Sequence, residues 1–173
     1  MAGYAPVVYE IINTLPAAEF NLAWATTRPA AESENPDVSN VKGMYYREFS
    51  KWLKQGFVAR GTIGDRPCAL ICGHIEGDEM HIELGLVMPD ENDSVAYFSD
   101  PEFLEQSEQE WKRFLSSLGL KKRVDYIYEG STSYNRRQYL ATLSVCQHTL
   151  EEVHIANLPN GNHLVKLIGT YFT

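Results

Sequence analysis

Four residues whose types can do chemistry fall on two neighbouring segments, Cys72 and His74 on the first and His81 and Glu83 on the second. A thiolate, imidazole nitrogens and a carboxylate are all suitable zinc ligands. In an extended chain residues two apart point to one side, so Cys72 goes with His74, and His81 with Glu83. Neither a Cys-x-x-Cys pair nor a His-Glu-x-x-His helix accompanies them, and those are the spacings by which zinc sites are usually recognised. The ordinary reading is half-buried cysteines, surface histidines and a solvent-facing strand edge, and no metal is expected. Cys146 and His148 are likewise a thiol and a base only by proximity in sequence. There is no glycine-rich phosphate loop, dinucleotide fingerprint or nucleophile elbow.

The elements that must position these groups follow from hydrophobic periodicity. Residues 7–13 are apolar and β-branched and predict a strand. Thr14 as cap and Pro16 in the first turn open a helix over residues 16–26. Residues 28–42, with Pro29 and Pro36, predict an irregular loop. Met44, Tyr45, Phe49, Trp52 and Leu53 recur at helical spacing up to Gly56, which ends an amphipathic helix. Strands are predicted over 57–63, 68–75 and 80–88, joined by two tight turns and therefore antiparallel. A polar, acidic loop at 89–100 leads to a helix that Pro101 opens, with Trp111, Phe114 and Leu115 on one face and Gly119 at its end. A strand over 124–128, a short helix over 133–143 and two strands over 149–156 and 163–171, linked by Asn160-Gly161, complete the order. The whole of 1–173 reads as a single α+β domain.

Charge narrows the function classes. The chain has 15 Lys and Arg against 23 Asp and Glu, a net charge of -8, which argues against nucleic acid or an anionic membrane as partner. Twelve of the carboxylates lie between Glu76 and Glu110, a stretch with no Lys or Arg. The bland account is an acidic, solubilising surface. Three cysteines do not make a disulfide framework, and neither a membrane span nor a signal peptide is apparent, so a reducing, cytoplasmic setting is expected.

The order β-α-α-β-β-β-α-β-α-β-β resembles the GCN5-related N-acetyltransferase (GNAT) family along nearly the whole chain. The segment Asp125 to Leu143, with Asp125, Tyr126 and Ile127, then Ser131, then Arg137, Tyr139 and Leu140, is similar to that family's strand, polar turn and helix before the last hairpin. Its nearest likeness is to the reduced GNAT-like proteins of tailed bacteriophages, of the T7-like internal virion protein type. The resemblance implies a central, mostly antiparallel mixed sheet of about seven strands flanked by about four helices. It also implies a glutamate base on the fourth strand, which falls on Glu83 with His81 beside it, and coenzyme contacts near Ser131 and Asn135. The family's acid, a tyrosine of the last short helix, would fall at Leu140, next to Tyr139.

An acetyltransferase of this kind holds the coenzyme pyrophosphate on backbone amides at a helix N-terminus, where small residues allow close approach. The matching residues 88–102 have no glycine and no arginine but carry Asp90, Glu91, Asp93, Asp100 and Glu102. Such a wall repels a polyanion. The expectation is therefore a catalytically reduced protein of bacteriophage type, without a cofactor, that binds other protein subunits in the virion or during its assembly in the host cytoplasm. The alternative is an acetyl-CoA-dependent N-acetyltransferase with Glu83 and His81 catalytic and Ser131 and Asn135 on the coenzyme. A third reading is an acidic inhibitor of a host defence protein.

Overall fold

The protein is described from a computed structural model that covers residues 7–87, 101–129, 150–157, 159, 161 and 163–170. Its elements are β1 (Val7–Ile12), α1 (Ala17–Glu34), α2 (Val41–Gln55), β2 (Phe57–Ile63), β3 (Arg66–Glu76), β4 (Glu79–Val87), α3 (Pro101–Ser117), β5 (Lys122–Glu129), β6 (Leu150–Asn157) and β7 (His163–Thr170). The class is α+β, as expected, with a seven-stranded mixed sheet in the order β1-β2-β3-β4-β5-β7-β6. The helix expected over 133–143, the acidic loop at 89–100, Ser131, Asn135, Tyr139, Leu140, Cys146 and His148 lie outside the described residues. No helix among the described residues is long and apolar enough to cross a membrane.

Both faces of the sheet are covered, so the strands carry apolar side chains on two sides. On one face Phe20, Ala23 and Trp24 of α1 and Val41, Tyr45 and Phe49 of α2 pack on Val58, Leu70, Cys72 and Leu86. On the other, Trp111, Phe114 and Leu115 of α3 pack on Phe57, Ala59, Ile71, Met80 and Ile82. In α2 the buried residues fall four apart, at Val41, Tyr45 and Phe49, which is the stripe of an amphipathic helix. Asn40 caps it by accepting from the Gly43 amide at 2.9 Å. Burying a phenylalanine such as the fully enclosed Phe49 contributes about 1.5–3 kcal/mol.

Most boundaries move by one to three residues, and the end of α1 moves furthest. Residues 28–34, expected as loop, continue α1 as far as Glu34, with Pro29 inside the helix and Pro16 rather than Thr14 at its N-cap. Pro29 has no amide hydrogen to give the carbonyl of Ala25, a real local cost. The helix nevertheless continues, packing Ala31, at 1% exposure, into the core cluster beside Trp24 and Tyr45, and the irregular segment shrinks to residues 35–40.

Two irregularities of the sheet create its central notch. All neighbouring strands are antiparallel except β4 and β5, which are parallel and pair only from Glu79↔Lys122 to Ile82↔Asp125. Both strands continue for several residues beyond that point, so they part and leave an opening between them. In the β3–β4 ladder Cys72 opposes Leu84 while Gly73 opposes Ile82. Glu83 is thus the extra residue of a β-bulge. The bulge inverts the alternation of β4: Met80 and Ile82 face α3, whereas Leu84 and Leu86 face α1 and α2.

Candidate active site

At the head of the notch, four rings stand in a row across four elements. Trp52 of α2 stacks on His74 of β3 with centroids 5.2 Å apart, His74 on His81 of β4 at 4.7 Å and 13°, and His81 on Tyr126 of β5 at 6.1 Å. His74 and His81 are direct cross-strand partners, which is why their rings lie flat on one another. Three carboxylates border the row. Glu76 and Glu79 flank the β3–β4 turn, where Gly77 takes a positive φ of 59°. Glu83 comes from the bulge. Its Oε1 is 3.2 Å from His74 Nδ1, although the alignment is not that of a hydrogen bond, and His74 Nδ1 is left without a hydrogen-bond partner.

The structure corrects the expectation of a solvent-facing edge. β4 is the middle strand of the seven, and His81 is 4% exposed, the one buried polar side chain among the described residues. Its ring nitrogens are both engaged, Nδ1 with the Tyr126 hydroxyl and Nε2 with Glu79 Oε2, each at 3.1 Å. His74 is half-buried rather than on the surface. Of the zinc set weighed from the sequence, Cys72 drops away into the core under α2 and Glu83 stands outside the donor cluster, which Glu76 joins instead: His74, Glu76 and His81 offer ligand atoms all within 4.8 Å of one another.

The environment is anionic. Burial first, and then the charges of Glu83, Glu76 and Glu79, push the Tyr126 phenol up from its ordinary value, so it remains protonated at neutral pH. Nearby positive charge comes from Lys122, whose Nζ is 3.5 Å from Glu79 Oε1, and from Lys51, which lies over the Trp52 ring at 4.3 Å. Glu83, on a parted strand and 29% exposed in its side chain, is a carboxylate that solvent and an incoming base can reach. Chemically, the arrangement suits capture of a cation or an ammonium group and removal of its proton.

Cys72 is no nucleophile. Burial, followed by the charge of Glu48, pushes its thiol well above the ordinary 9.0, and the thiolate is the reactive form. Its contribution to stability is fully present below the unfolded thiol's pKa and is lost as pH rises above it, because only the unfolded chain then gives up the proton. Denaturant titrations between about pH 9 and pH 10 should show an alkaline loss of stability that Cys72→Ala reduces by up to roughly 1.4 kcal/mol per pH unit. An equal loss in both chains would contradict a buried, neutral thiol.

His81 and Glu83 were legible from the sequence. His74 was visible only as a weak zinc option, and Tyr126 only as part of a strand. Glu76 and Glu79 carried no signal beyond their place in a turn.

No family model matches the chain, and no curated protein matches it by sequence. Solved structures do match its fold. An aminoglycoside 6'-acetyltransferase type Ii superposes with a TM-score of 0.60 at 8% identity, covering 96% of this chain and 98% of that one. The ribosomal-protein-S18-alanine N-acetyltransferase of Escherichia coli gives 0.57 at 11% identity, covering 96% of each. An acetyltransferase of Bacillus subtilis solved in complex with CoA gives 0.53 at 12% identity, covering 96% and 99%. The fold is that of the GCN5-related N-acetyltransferases.

Proposed function

We propose that the chain is an acetyl-CoA-dependent N-acetyltransferase whose acceptor is a cationic amine. The observation that carries this reading is the parting of β4 from β5 immediately after Ile82 and Asp125, with Glu83 on a bulge at its head. Each strand keeps its other neighbour, β3 or β7, so among the described residues the backbone groups that face the notch have no ladder partner there. A slot lined by amides and carbonyls outside the ladder fits an extended, amide-bearing chain such as the pantetheine arm of CoA. The B. subtilis structure contains CoA, and so does one of an aminoglycoside 6'-N-acetyltransferase over 96% of this chain, at a TM-score of 0.53 and 8% identity.

Acetyl-CoA, when bound, supplies a thioester carbonyl that an uncharged amine attacks. The residues of this chain prepare the amine. Glu76, Glu79 and Glu83 attract its ammonium form. Glu83 takes the proton, and the buried His81, held from both sides by Tyr126 and Glu79, keeps that wall of the site rigid. Tyr126 retains its proton at Oη.

The competing reading, a cofactor-free protein of bacteriophage type that binds other protein subunits, is favoured by one observation: residues 88–102 have five carboxylates and neither glycine nor arginine. A thermal titration separates the two. Acetyl-CoA at 100 times its dissociation constant should add about 2.7 kcal/mol of stability, and thiol release should follow on adding primary amines or polyamines. A melting temperature that does not move with acetyl-CoA, with no thiol released, would leave the binding protein.

A further inference from the structure

We propose that His74, Glu76 and His81 form a site for a divalent transition-metal ion of zinc type at the β3–β4 hairpin, three protein donors that leave the fourth position of a four-coordinate ion to solvent. The proposal stands on the placement of donor atoms: it shares Glu76 and His81 with the amine site proposed above, and metal uptake is read without any acetyl transfer. Around a tetrahedral zinc with ligands at 2.0–2.1 Å, neighbouring donor atoms are about 3.3 Å apart. Glu76 Oε1 is 3.3 Å from His74 Nε2, and its Oε2 is 3.7 Å from His81 Nε2. Glu79 Oε2 is 3.1 Å from the same His81 nitrogen. One carboxylate thus bridges the two Nε2 atoms, and a second approaches from the other end of the turn. Glu76 is the carboxylate the two rings share without an aligned hydrogen bond to either, and a cation between His74 Nε2, His81 Nε2 and Glu76 would give all three donors one partner.

The opposite ring nitrogens strengthen the case. A metal-bound histidine almost always offers its other nitrogen to an oxygen that fixes its tautomer. Here His81 Nδ1 meets the Tyr126 hydroxyl at 3.1 Å, and His74 Nδ1 has Glu83 Oε1 at 3.2 Å. Both imidazoles turn Nε2 to the same space; His81 Nδ1 has an orienting oxygen, and His74 Nδ1 has a carboxylate close by that is not aligned as a hydrogen bond. The turn is held in place as well, since the amides of Lys121 and Lys122 donate to the Asp78 carbonyl at 2.9 and 3.1 Å. A mixed nitrogen and oxygen set with imidazoles selects zinc, nickel, copper or cobalt over magnesium or calcium.

The test is metal uptake by the full chain, purified with chelator and then titrated with zinc in a calorimeter. A single tight equivalent is expected, and cobalt(II) in its place should give the intense visible absorption of a four-coordinate site. Glu76, with a side chain 68% exposed, can be changed without touching the core, so Glu76→Gln should fold normally and bind zinc tenfold or more weakly. His74→Gln should abolish the cobalt band. Zinc uptake that Glu76→Gln and His74→Gln leave unchanged would place the ion elsewhere, on other carboxylates or cysteines, and would overturn the proposal. So would a wild-type chain that takes up no zinc.

Discussion

Glu83→Gln should lower kcat and kcat/KM for acetyl transfer by roughly 10²–10⁴-fold, the usual contribution of a positioned general base. The amide keeps the shape and polarity of the side chain and removes only its basicity. Because the loss falls on proton removal and not on coenzyme binding, the rise in melting temperature caused by acetyl-CoA should persist. Stability should move by no more than about 0.5 kcal/mol, as at an ordinary part-exposed position, since the carboxylate is 29% exposed and makes no aligned hydrogen bond with His74. The acid limb of the pH–rate profile, which reports ionisation of the base, should vanish with it. A loss smaller than about tenfold, with that limb intact, would remove Glu83 from the reaction even if the chain transfers acetyl groups.

Gly73→Ala should cost at least about 3 kcal/mol, near the upper end for a single substitution. A Cβ at residue 73 would sit 1.8 Å from the His81 carbonyl oxygen and 3.2 Å from the Glu83 amide nitrogen. Both are backbone atoms of the bulge and cannot rotate away, unlike the side chains whose crowding gives the usual 1–3 kcal/mol. Gly73 is itself pressed from outside, because its carbonyl oxygen would lie 2.0 Å from a Cβ on Gly56. At 2–4 °C per kcal/mol for a chain of this size, the melting temperature should fall by roughly 6–12 °C. Gly85→Ala is the control on the neighbouring strand. Its Cβ would meet only the Ile71 Cγ2, at an ordinary 3.7 Å, and its effect should be under about 1 kcal/mol. Equal melting of the two variants would show that the bulge is not what requires Gly73. Since the bulge aims Glu83, any folded Gly73→Ala protein should also lose activity.

Much of the fold was legible because its signals are local. The run 57–63 between Gly56 and the turn at Gly64 gives β2 at its observed bounds, and the helical spacing that includes Tyr45 and Phe49 gives the buried face of α2, although Val41, expected in the loop, joins that stripe. Gly119 ends α3 with a positive φ of 73°, and the Leu120 amide reaches back to the Leu115 carbonyl at 2.8 Å, as a glycine after a helix predicts. Where local and nonlocal forces disagree, the sequence misleads. Pro29 reads as a breaker, yet the burial of Ala31 against the sheet face carries the helix through it.

The sequence by itself determined the order of the described elements, the α+β class and the placing of His81 and Glu83 on one strand, all of which depend on residues a few positions apart. Only the tertiary structure decided that this strand lies at the centre of the sheet, that His81 is enclosed, and that Tyr126, 45 residues away, closes against it. It also decided that an extra residue at Glu83 turns the rest of β4 over. The physical reason is that alternation fixes which side chains share a face but not which strands become neighbours. Pairing of β4 with β5 closes a long chain loop, and whether such a closure is favourable depends on the burial gained on both faces of the sheet, a sum over residues that no local window contains.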